Sequence, residues 1–252
     1  MRLFLSRSLA FIFFISIQCS AQIVNIENMR LATNQEGFTG SIDLNLNFTM
    51  NTVQLLQIGD KVRIGFNKKK HHLLLLTDHS FISTKDVSIV NLGFEHIRYS
   101  YAFKDSGNVM LEVFEQAQFN KIQKINLRFL LGTGLRFHIL DEKNYQLNFG
   151  TGIMAEYEEL IDYGTSRDIL SNNYFSFDGQ FSEHVGMNNI TYFQPKMIDF
   201  GNYRLSNETQ IRFMINKHLT FRIIYSLTHD SRDIPDVRKT NYTFRNALSF
   251  TF

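Results

Sequence analysis

Residues 38–50, FTGSIDLNLNFTM, alternate apolar and polar side chains without a break over thirteen residues. The even positions from Phe38 to Met50 are apolar or glycine, and the odd positions from Thr39 to Thr49 are polar. Because a period of two sends successive side chains to opposite faces, this pattern indicates an extended strand. The commonest strands have about five or six residues, and this stretch is longer. It also passes the roughly nine to eleven that a tilted strand needs to cross a bilayer.

The same period recurs along the chain and predicts eleven further strands. From Ile125 to Ile139, for example, apolar odd positions oppose an even face that carries Arg128, Arg136 and His138. The predicted strands are 38–50, 52–66, 71–83, 87–104, 107–120, 124–140, 145–160, 170–180, 185–197, 202–216, 218–230 and 240–252. This regular spacing predicts an all-β protein, a transmembrane up-and-down antiparallel β-barrel of about twelve strands over residues 38–252. Residues 22–37 lack sustained alternation, and we expect a short periplasmic segment there.

The amino terminus has the composition of a secretory signal peptide. Arg2 and Arg7 flank the start of an apolar run, and small residues precede a cleavage site after Ala21. An alternative makes Cys19 the acylated residue of a lipoprotein, but Gln18 is unfavourable before such a site. Cleavage after Ala21 leaves 252 − 21 = 231 residues with no cysteine, so no disulfide or thiol chemistry is available.

The composition narrows the class of protein further. The chain has 26 Lys and Arg against 24 Asp and Glu, a near balance that argues against a nucleic-acid partner. Only two prolines occur, as expected for a chain committed to hydrogen-bonded ladders. The eight histidines form no HExxH or similar ligand spacing, and we expect neither a metal nor another cofactor.

Alternation alone does not say which face of a barrel is inside. Twelve strands make a barrel too wide for apolar side chains to fill easily, and the polar face carries charges of both signs, so we expect the apolar face outward. Connection lengths agree with an outer-membrane barrel that has periplasmic termini. Short periplasmic turns are predicted at 67–70, 104–107, 141–144 and 216–217, and longer external loops at 161–169 and 230–239.

The carboxy terminus alternates as well and ends on an aromatic residue. Tyr242, Phe244, Leu248, Phe250 and Phe252 share one face of the last predicted strand. This ending resembles the signal by which the outer-membrane barrel assembly machinery recognises its substrates. We therefore predict an assembly signal at Leu248, Phe250 and Phe252.

Several stretches resemble the salt-induced outer membrane protein family, the YdiY-like proteins, whose domain has no known function. They are GFEHIRYSYAF (93–103), LEVFEQAQFNKIQKINLRFLLGTGLRF (111–137), GTGIMAEYEEL (150–160), YFQPKM (192–197) and GNYRL (201–205). The resemblance implies an outer-membrane barrel of a Gram-negative bacterium, in contact with lipid and lipopolysaccharide. The junction of Ala21 and Gln22 looks like those of Bacteroidetes. The resemblance implies no activity.

One group of polar-face residues on the fifth to seventh predicted strands is the strongest candidate site. Its members are Glu112, Gln116, Gln118, Arg128, Arg136, His138, Glu156 and Glu158. If the turn at 141–144 keeps the apolar faces together, Arg128 lies opposite either Glu156 or Glu158. We interpret the group as an internal salt-bridge network that partly fills the barrel, since buried charges need partners. The alternative is a constriction that selects small polar or charged solutes.

Two other groups have plainer explanations. Lys68, Lys69 and Lys70 with two histidines form a basic run, which we interpret as a solvated turn rather than a contact with lipid phosphate or peptidoglycan. His229, Asp230, Asp233 and Asp236 lie in or next to the predicted 230–239 loop, but no motif supplies a serine partner for hydrolysis.

We expect a narrow channel-like or structural envelope protein, linked to envelope or osmotic stress by resemblance, and not an enzyme. The alternatives are a barrel hydrolase and a closed adhesin or binding barrel.

Overall fold

The structure is a computed structural model that describes residues 26, 36–50, 54–84, 88–103, 108–216 and 218–250. The predicted signal peptide and Phe252 lie outside these residues. Of the predicted segment 22–37, the description covers Ile26, Glu36 and Gly37. No helix in the described ranges is long and apolar enough to cross a membrane.

The described chain forms one sheet of twelve antiparallel strands in sequence order, as the sequence predicts. The strands are β1 (Gly37–Met50), β2 (Gln54–Lys68), β3 (His71–Thr84), β4 (Ser88–Ala102), β5 (Val109–Asn120), β6 (Ile125–Glu142), β7 (Tyr145–Leu160), β8 (Gly164–Gln180), β9 (Val185–Lys196), β10 (Asp199–Met214), β11 (Leu219–Asp230) and β12 (Thr240–Phe250). A 3-10 turn, Lys121–Gln123, precedes β6. Ladders in the described ranges join consecutive strands, so β1 and β12 are the two edges of the sheet.

The sheet curls around one face, and that face is the polar one. Leu44 on β1 and Ile153 on β7 are 77% and 52% exposed on the outer face, whereas Arg128 and Glu158 are each 1% exposed inside. Side chains of β7 reach those of β10 across the interior, and Tyr174 of β8 reaches Glu112 of β5. The predicted orientation, with the apolar face outward, is confirmed.

The interior is not wholly polar, which differs from the simple alternation in the sequence. Phe114, Leu130, Met154 and Leu170 form a buried apolar cluster between charged groups. A second cluster joins Ile26 to Leu74, Leu76 and Phe94, so Ile26 lies inside the barrel. Apolar side chains from several strands thus share the interior with the charged groups.

Glycines on the inner faces of β6 and β7 make room for aromatic rings. A Cβ on Gly150 would lie 2.0 Å from Cε1 of Tyr174, and one on Gly132 would lie 2.4 Å from Cζ of Phe114. Rings from the neighbouring strands thus occupy the space that a side chain at these glycines would need. These glycines therefore allow aromatic side chains to pack inside the barrel.

The connections do not alternate in length as predicted. The expected 161–169 loop is only a turn of residues 161–163, and β8 begins at Gly164. Asp162 and Gly164 adopt positive φ angles of 69° and 82°, which reverse the chain within this short turn. The first residues of β8 are polar on both faces, which is why the sequence pattern misses them. Residues 231–239, by contrast, form the long connection that the sequence predicts.

Candidate functional site

Six ionic side chains, five of them buried and Arg232 part-buried, meet at the end of the barrel that carries residues 231–239. We call this group the rim network: Arg128, Glu156, Glu158, Arg204, Asp230 and Arg232. The first five project from the inner faces of β6, β7, β10 and β11, and Arg232 comes from the loop. The network thus joins four strands and one loop.

Arg204 of β10 is the centre of the rim network. Its NH2 nitrogen donates to both carboxylate oxygens of Glu158, at 3.0 and 3.1 Å, and its NH1 nitrogen donates to Glu156. Its Nε donates to Asp230 Oδ2 at 3.1 Å. Because β7 and β10 are three strands apart, these hydrogen bonds cross the interior rather than follow the wall.

Arg128 and Arg232 complete the network from either side. Arg128 Nε donates to Glu156 and lies 3.9 Å from Glu158 Oε1. Arg232 donates to Glu158 through NH1 and to Asp230 Oδ2 through NH2, the latter at 2.7 Å. Burial lowers the pKa of Arg232, but hydrogen bonds to Asp230 and Glu158 outweigh this effect and raise it overall. The loop is thereby held against the interior by charge.

The charges of the rim network balance, with three guanidinium groups against three carboxylates. All six side chains are 15% exposed or less, so each charge has lost most of its water. A buried charge of this kind is tolerated only when partners replace its hydration. Loss of any one member leaves an uncompensated charge in the interior.

The loop folds over the same end of the barrel. Ile234 is 7% exposed, and Ser231 exchanges two hydrogen bonds with the backbone of Tyr203. Further along, Asp236 accepts from Lys124 Nζ at 3.0 Å, and Tyr163 contacts the same amine. The hydrogen bond to Asp236 raises the pKa of Lys124 above its usual value of 10.5. The loop therefore bridges from β11 to the turns that flank β6 and β8.

A second buried group, the central cluster, lies deeper along the strands: His96, Arg98, Glu112, Gln116, Gln118, Arg136 and Tyr174. Glu112 Oε2 accepts from Arg98 at 3.0 Å and from the Tyr174 hydroxyl at 3.1 Å. Arg136 NH1 donates to the same hydroxyl at 3.3 Å. The cluster thus joins β4, β5, β6 and β8 around one carboxylate.

The contacts of His96 define its tautomer. Arg98 Nε donates to His96 Nε2 at 3.3 Å, which makes Nε2 an acceptor. Nδ1 then carries the proton and donates to Gln116 Oε1 at 3.1 Å, and Gln116 donates onward to Gln118. His96 thus links Arg98 to Gln116 and Gln118 in one hydrogen-bonded chain.

The space between these groups is small. A cavity of about 20 Å³ is lined by residues that include Ile26, His96, Arg128, Tyr192 and Gln194. A volume of this size holds about one water molecule. On this side of the interior, side chains occupy the lumen.

The predicted site residues divide between these two groups. Arg128 lies opposite Glu158 in the ladder, one of the two predicted registers, and it also contacts Glu156. Glu112, Gln116, Gln118 and Arg136 belong to the central cluster. His138 lies near the other end of β6, opposite Asn148, and we assign it to neither group.

Sequence reasoning missed Arg204, Asp230 and Arg232 as partners of the predicted carboxylates. Arg204 and Asp230 lie in phase with the inward faces of β10 and β11. The alternation in the sequence is therefore enough to place both side chains inside the barrel. Arg232 has no such signal, because its position depends on how the loop folds back.

The other sequence candidates do not converge on a reactive centre. Asp230 is held by two arginines, His229 contacts Thr240 on the outer face, and the Asp233 side chain is 92% exposed. The described residues contain no cluster of three metal-ligating side chains.

In the basic run, Lys69 and Lys70 form the tight turn between β2 and β3. Of the predicted assembly signal, Leu248 is 65% exposed on the outer face of β12, and Phe250 ends that strand.

The profile of the family described as "Protein of unknown function, DUF481" matches residues 28–252. No curated protein matches the chain. A solved structure titled "NanC porin structure in rhombohedral crystal form" aligns at a TM-score of 0.48 with 10% sequence identity, covering 78% of this chain and 94% of that one.

Proposed function

The chain belongs to the DUF481 family of unknown function, and from this premise we propose that it is an outer-membrane β-barrel whose lumen is closed by the rim network and its loop. In this proposal the barrel is structural, or it is a narrow gated path for small polar solutes. It is not a wide general pore. The observation that carries the proposal is the set of hydrogen bonds from Arg204 across the interior to Glu156 and Glu158.

The outward face supports a membrane location. Its large apolar side chains include Phe38, Leu44, Leu131 and Ile169, each exposed by half or more. Strands of 11 to 18 residues are long enough for a tilted crossing of a bilayer. The predicted signal peptide and the aromatic carboxy terminus support the same location. Lipid, lipopolysaccharide and the barrel assembly machinery are the partners that this location implies.

The charges inside the barrel support selectivity for small solutes. Rings of charged side chains set the selectivity of pores, and here they neutralise one another within the lumen. A solute that crosses the barrel must displace Arg204 and its carboxylate partners or pass beside them. The described inner faces of β1, β2 and β12 are less buried than those of β4 to β9, so a narrow path would run on that side, beside the rim network. The resemblance to salt-induced proteins makes osmotic stress the condition in which to look for a phenotype.

We propose no catalytic role for the loop residues. A barrel hydrolase would need Asp230 or His229 free to act on a substrate at the rim. Asp230 instead neutralises Arg204 and Arg232, and no other described feature favours hydrolysis.

Two measurements on the full chain test the proposal. First, cell fractionation should recover the protein in the outer membrane, with a gel mobility that changes on heating as folded barrels do. Second, liposomes that contain the refolded protein should swell no faster in a disaccharide solution than empty liposomes. Recovery in a soluble fraction would overturn the location, and rapid swelling would overturn the closed lumen.

A further inference from the structure

Ile26 lies inside the barrel although it belongs to no strand of the sheet. It is 3% exposed and packs against Leu74 and Leu76 of β3 and Phe94 of β4. We call these three wall residues the apolar socket. Ile26 also lines the cavity of about 20 Å³, and the other residues around that cavity come from β4 to β9. This one side chain therefore fills space between the inner faces of β3 to β9.

The apolar socket is buried although the wall beside it, towards β2, is exposed to water. Leu76 is 0% exposed. Arg63 of β2 lies opposite Leu76 in the ladder, and its side chain is 33% exposed. The next inward side chain of β3, Asp78, is 27% exposed. The cover that Leu76 lacks on this side of the wall comes from Ile26 in the lumen. Because apolar side chains are stabilised by losing contact with water, the socket favours an aliphatic partner.

The length of the chain allows Ile26 to come from the end of the barrel that carries the β2–β3 turn. Glu36, next to the first residue of β1, accepts a hydrogen bond from the backbone N–H of Lys69 in that turn at 3.3 Å. Leu76 lies six residues beyond Lys70, about 20 Å along a strand. Ile26 and Glu36 are 36 − 26 = 10 residues apart, and ten extended residues span up to about 33 Å. Since the strands alternate in direction, this end lies opposite the 231–239 loop.

We propose that the apolar socket is the docking site for the amino-terminal part of this chain, with Ile26 as its anchor, and that the docked part plugs the β3 to β9 side of the lumen. This inference concerns the other end of the barrel from the rim network and goes beyond the proposed function. It rests on that function only where permeation is measured. The sequence predicts a periplasmic segment at 22–37, whereas in this proposal the anchor of that segment lies inside the barrel.

Isoleucine suits the anchor position because its surroundings are apolar on one side and cationic on the other. A β-branched aliphatic side chain has few rotamers to lose and needs no hydrogen-bond partner. Arg98 and Arg128 line the cavity that Ile26 also lines. A lysine at position 26 would therefore lie against the apolar socket and close to two arginines. Both the loss of its water and the like charges oppose docking, so Ile26→Lys should release the anchor.

Disulfide formation tests the docked position directly. In a Cys19→Ser background, which removes the single cysteine, Ile26→Cys is combined with Leu76→Cys or with Leu74→Cys. Either pair should close an internal disulfide when the folded full chain is oxidised. Two socket positions guard against a variant that does not fold. Ile26→Cys with Leu44→Cys is the matched control and should give no disulfide, because Leu44 is 77% exposed on the outer face of β1.

Permeation tests what the docked side chain does. Liposomes with Ile26→Lys should swell several-fold faster in a monosaccharide solution than those with the wild type, and Ile26→Leu, which keeps the volume, should match the wild type. Ile26→Ala removes most of the contact without adding a charge and replaces Ile26→Lys if that variant does not fold. Ile26 packs against the apolar socket, whereas Arg232 contacts Glu158 and Asp230. Ile26→Lys with Arg232→Met should therefore swell faster than either single variant.

The outcomes separate this proposal from the proposed function, with heat-modifiable mobility followed in every sample to show that the barrel is folded. Folded protein that forms no disulfide in either socket pair would overturn the docking of Ile26 and leave the rim network standing. Swelling that is the same with Ile26→Lys and with the wild type would overturn the plug. Rapid swelling of the wild type would instead overturn the closed lumen of the proposed function, and the disulfides would still show whether Ile26 docks.

Discussion

Replacement of Arg204 by methionine is the most informative single change to the rim network. Methionine keeps an unbranched side chain in the space but removes the guanidinium that hydrogen-bonds Glu156, Glu158 and Asp230. The network then holds two arginines against three carboxylates, one uncompensated negative charge. The Arg204 side chain is only 4% exposed, so water cannot take over its role.

The expected magnitude follows from that burial. Removing one partner of a buried ion pair lowers the free energy of unfolding by about 3–5 kcal/mol. The double variant Arg204→Met with Glu158→Gln restores the charge balance, because Arg128 keeps Glu156 and Arg232 keeps Asp230. We therefore expect the double variant to be more stable than the sum of its single changes, by about 1–3 kcal/mol of coupling.

Equilibrium unfolding in urea, with the barrel in phospholipid vesicles, measures these differences. The chain has no tryptophan, so far-ultraviolet circular dichroism and heat-modifiable gel mobility are the suitable probes. Lys61→Met is the matched control, because it breaks a pair with Asp78 that is 37% and 27% exposed. An exposed pair contributes about 0–1 kcal/mol. If Arg204→Met destabilises no more than Lys61→Met, or if the double variant is simply additive, the central role of Arg204 is wrong.

Three further predictions concern the glycine, the loop and pH. Gly150→Ala should lower the free energy of unfolding by about 1–3 kcal/mol in the same urea assay, because its Cβ would lie 2.0 Å from the Tyr174 ring. A variant as stable as the wild type would mean that the Tyr174 ring does not lie against Gly150. Glu158→Gln should speed subtilisin cleavage within residues 231–239 much more than Lys124→Met does. Glu158 binds Arg232 of the loop inside the barrel, whereas Lys124 binds Asp236 at the surface. Equal cleavage rates in the two variants would contradict the inward anchoring of the loop. Because the folded state raises the pKa of Lys124, its contribution is present below pH 10.5 and is lost as the pH rises through the folded value. Cleavage by subtilisin should therefore be constant from pH 8 to about pH 10 and rise above that only in protein that retains Lys124; a rise at lower pH would refute the assignment.

The strands were predictable from the sequence because alternation is a local property. Every second side chain of a strand lies on the same face, so the sequence itself shows which residues face in and which face out. The thirteen alternating residues 38–50 therefore define β1 to within one residue. Residues 164–168 show no such alternation, since glycine or polar side chains occupy both faces at that end of β8. A pattern of hydrophobicity carries no signal where neither face is apolar.

The candidate site was predictable only as far as neighbouring strands reach. Hairpin register limits the residue opposite Arg128 to Glu156 or Glu158, and the ladder places Glu158 there. The contacts of Arg204 with the same carboxylates depend on how far the sheet curls, which no local pattern encodes. Arg232 depends in addition on the path of the loop. The apolar residues inside the barrel, such as Leu130 and Met154, lie in phase with the inner faces of β6 and β7, so local alternation does place them inside.

The central claim, that the rim network and its loop close the lumen, is tested most directly by single-channel conductance in planar bilayers. Wild-type protein should be silent or show only small, rare steps. Arg232→Met should open larger or more frequent steps, because it releases the loop from Glu158 and Asp230. Arg238→Met, the same change at an exposed position of the same loop, should behave as wild type. Large steps in the wild type that are unchanged by Arg232→Met would contradict the account.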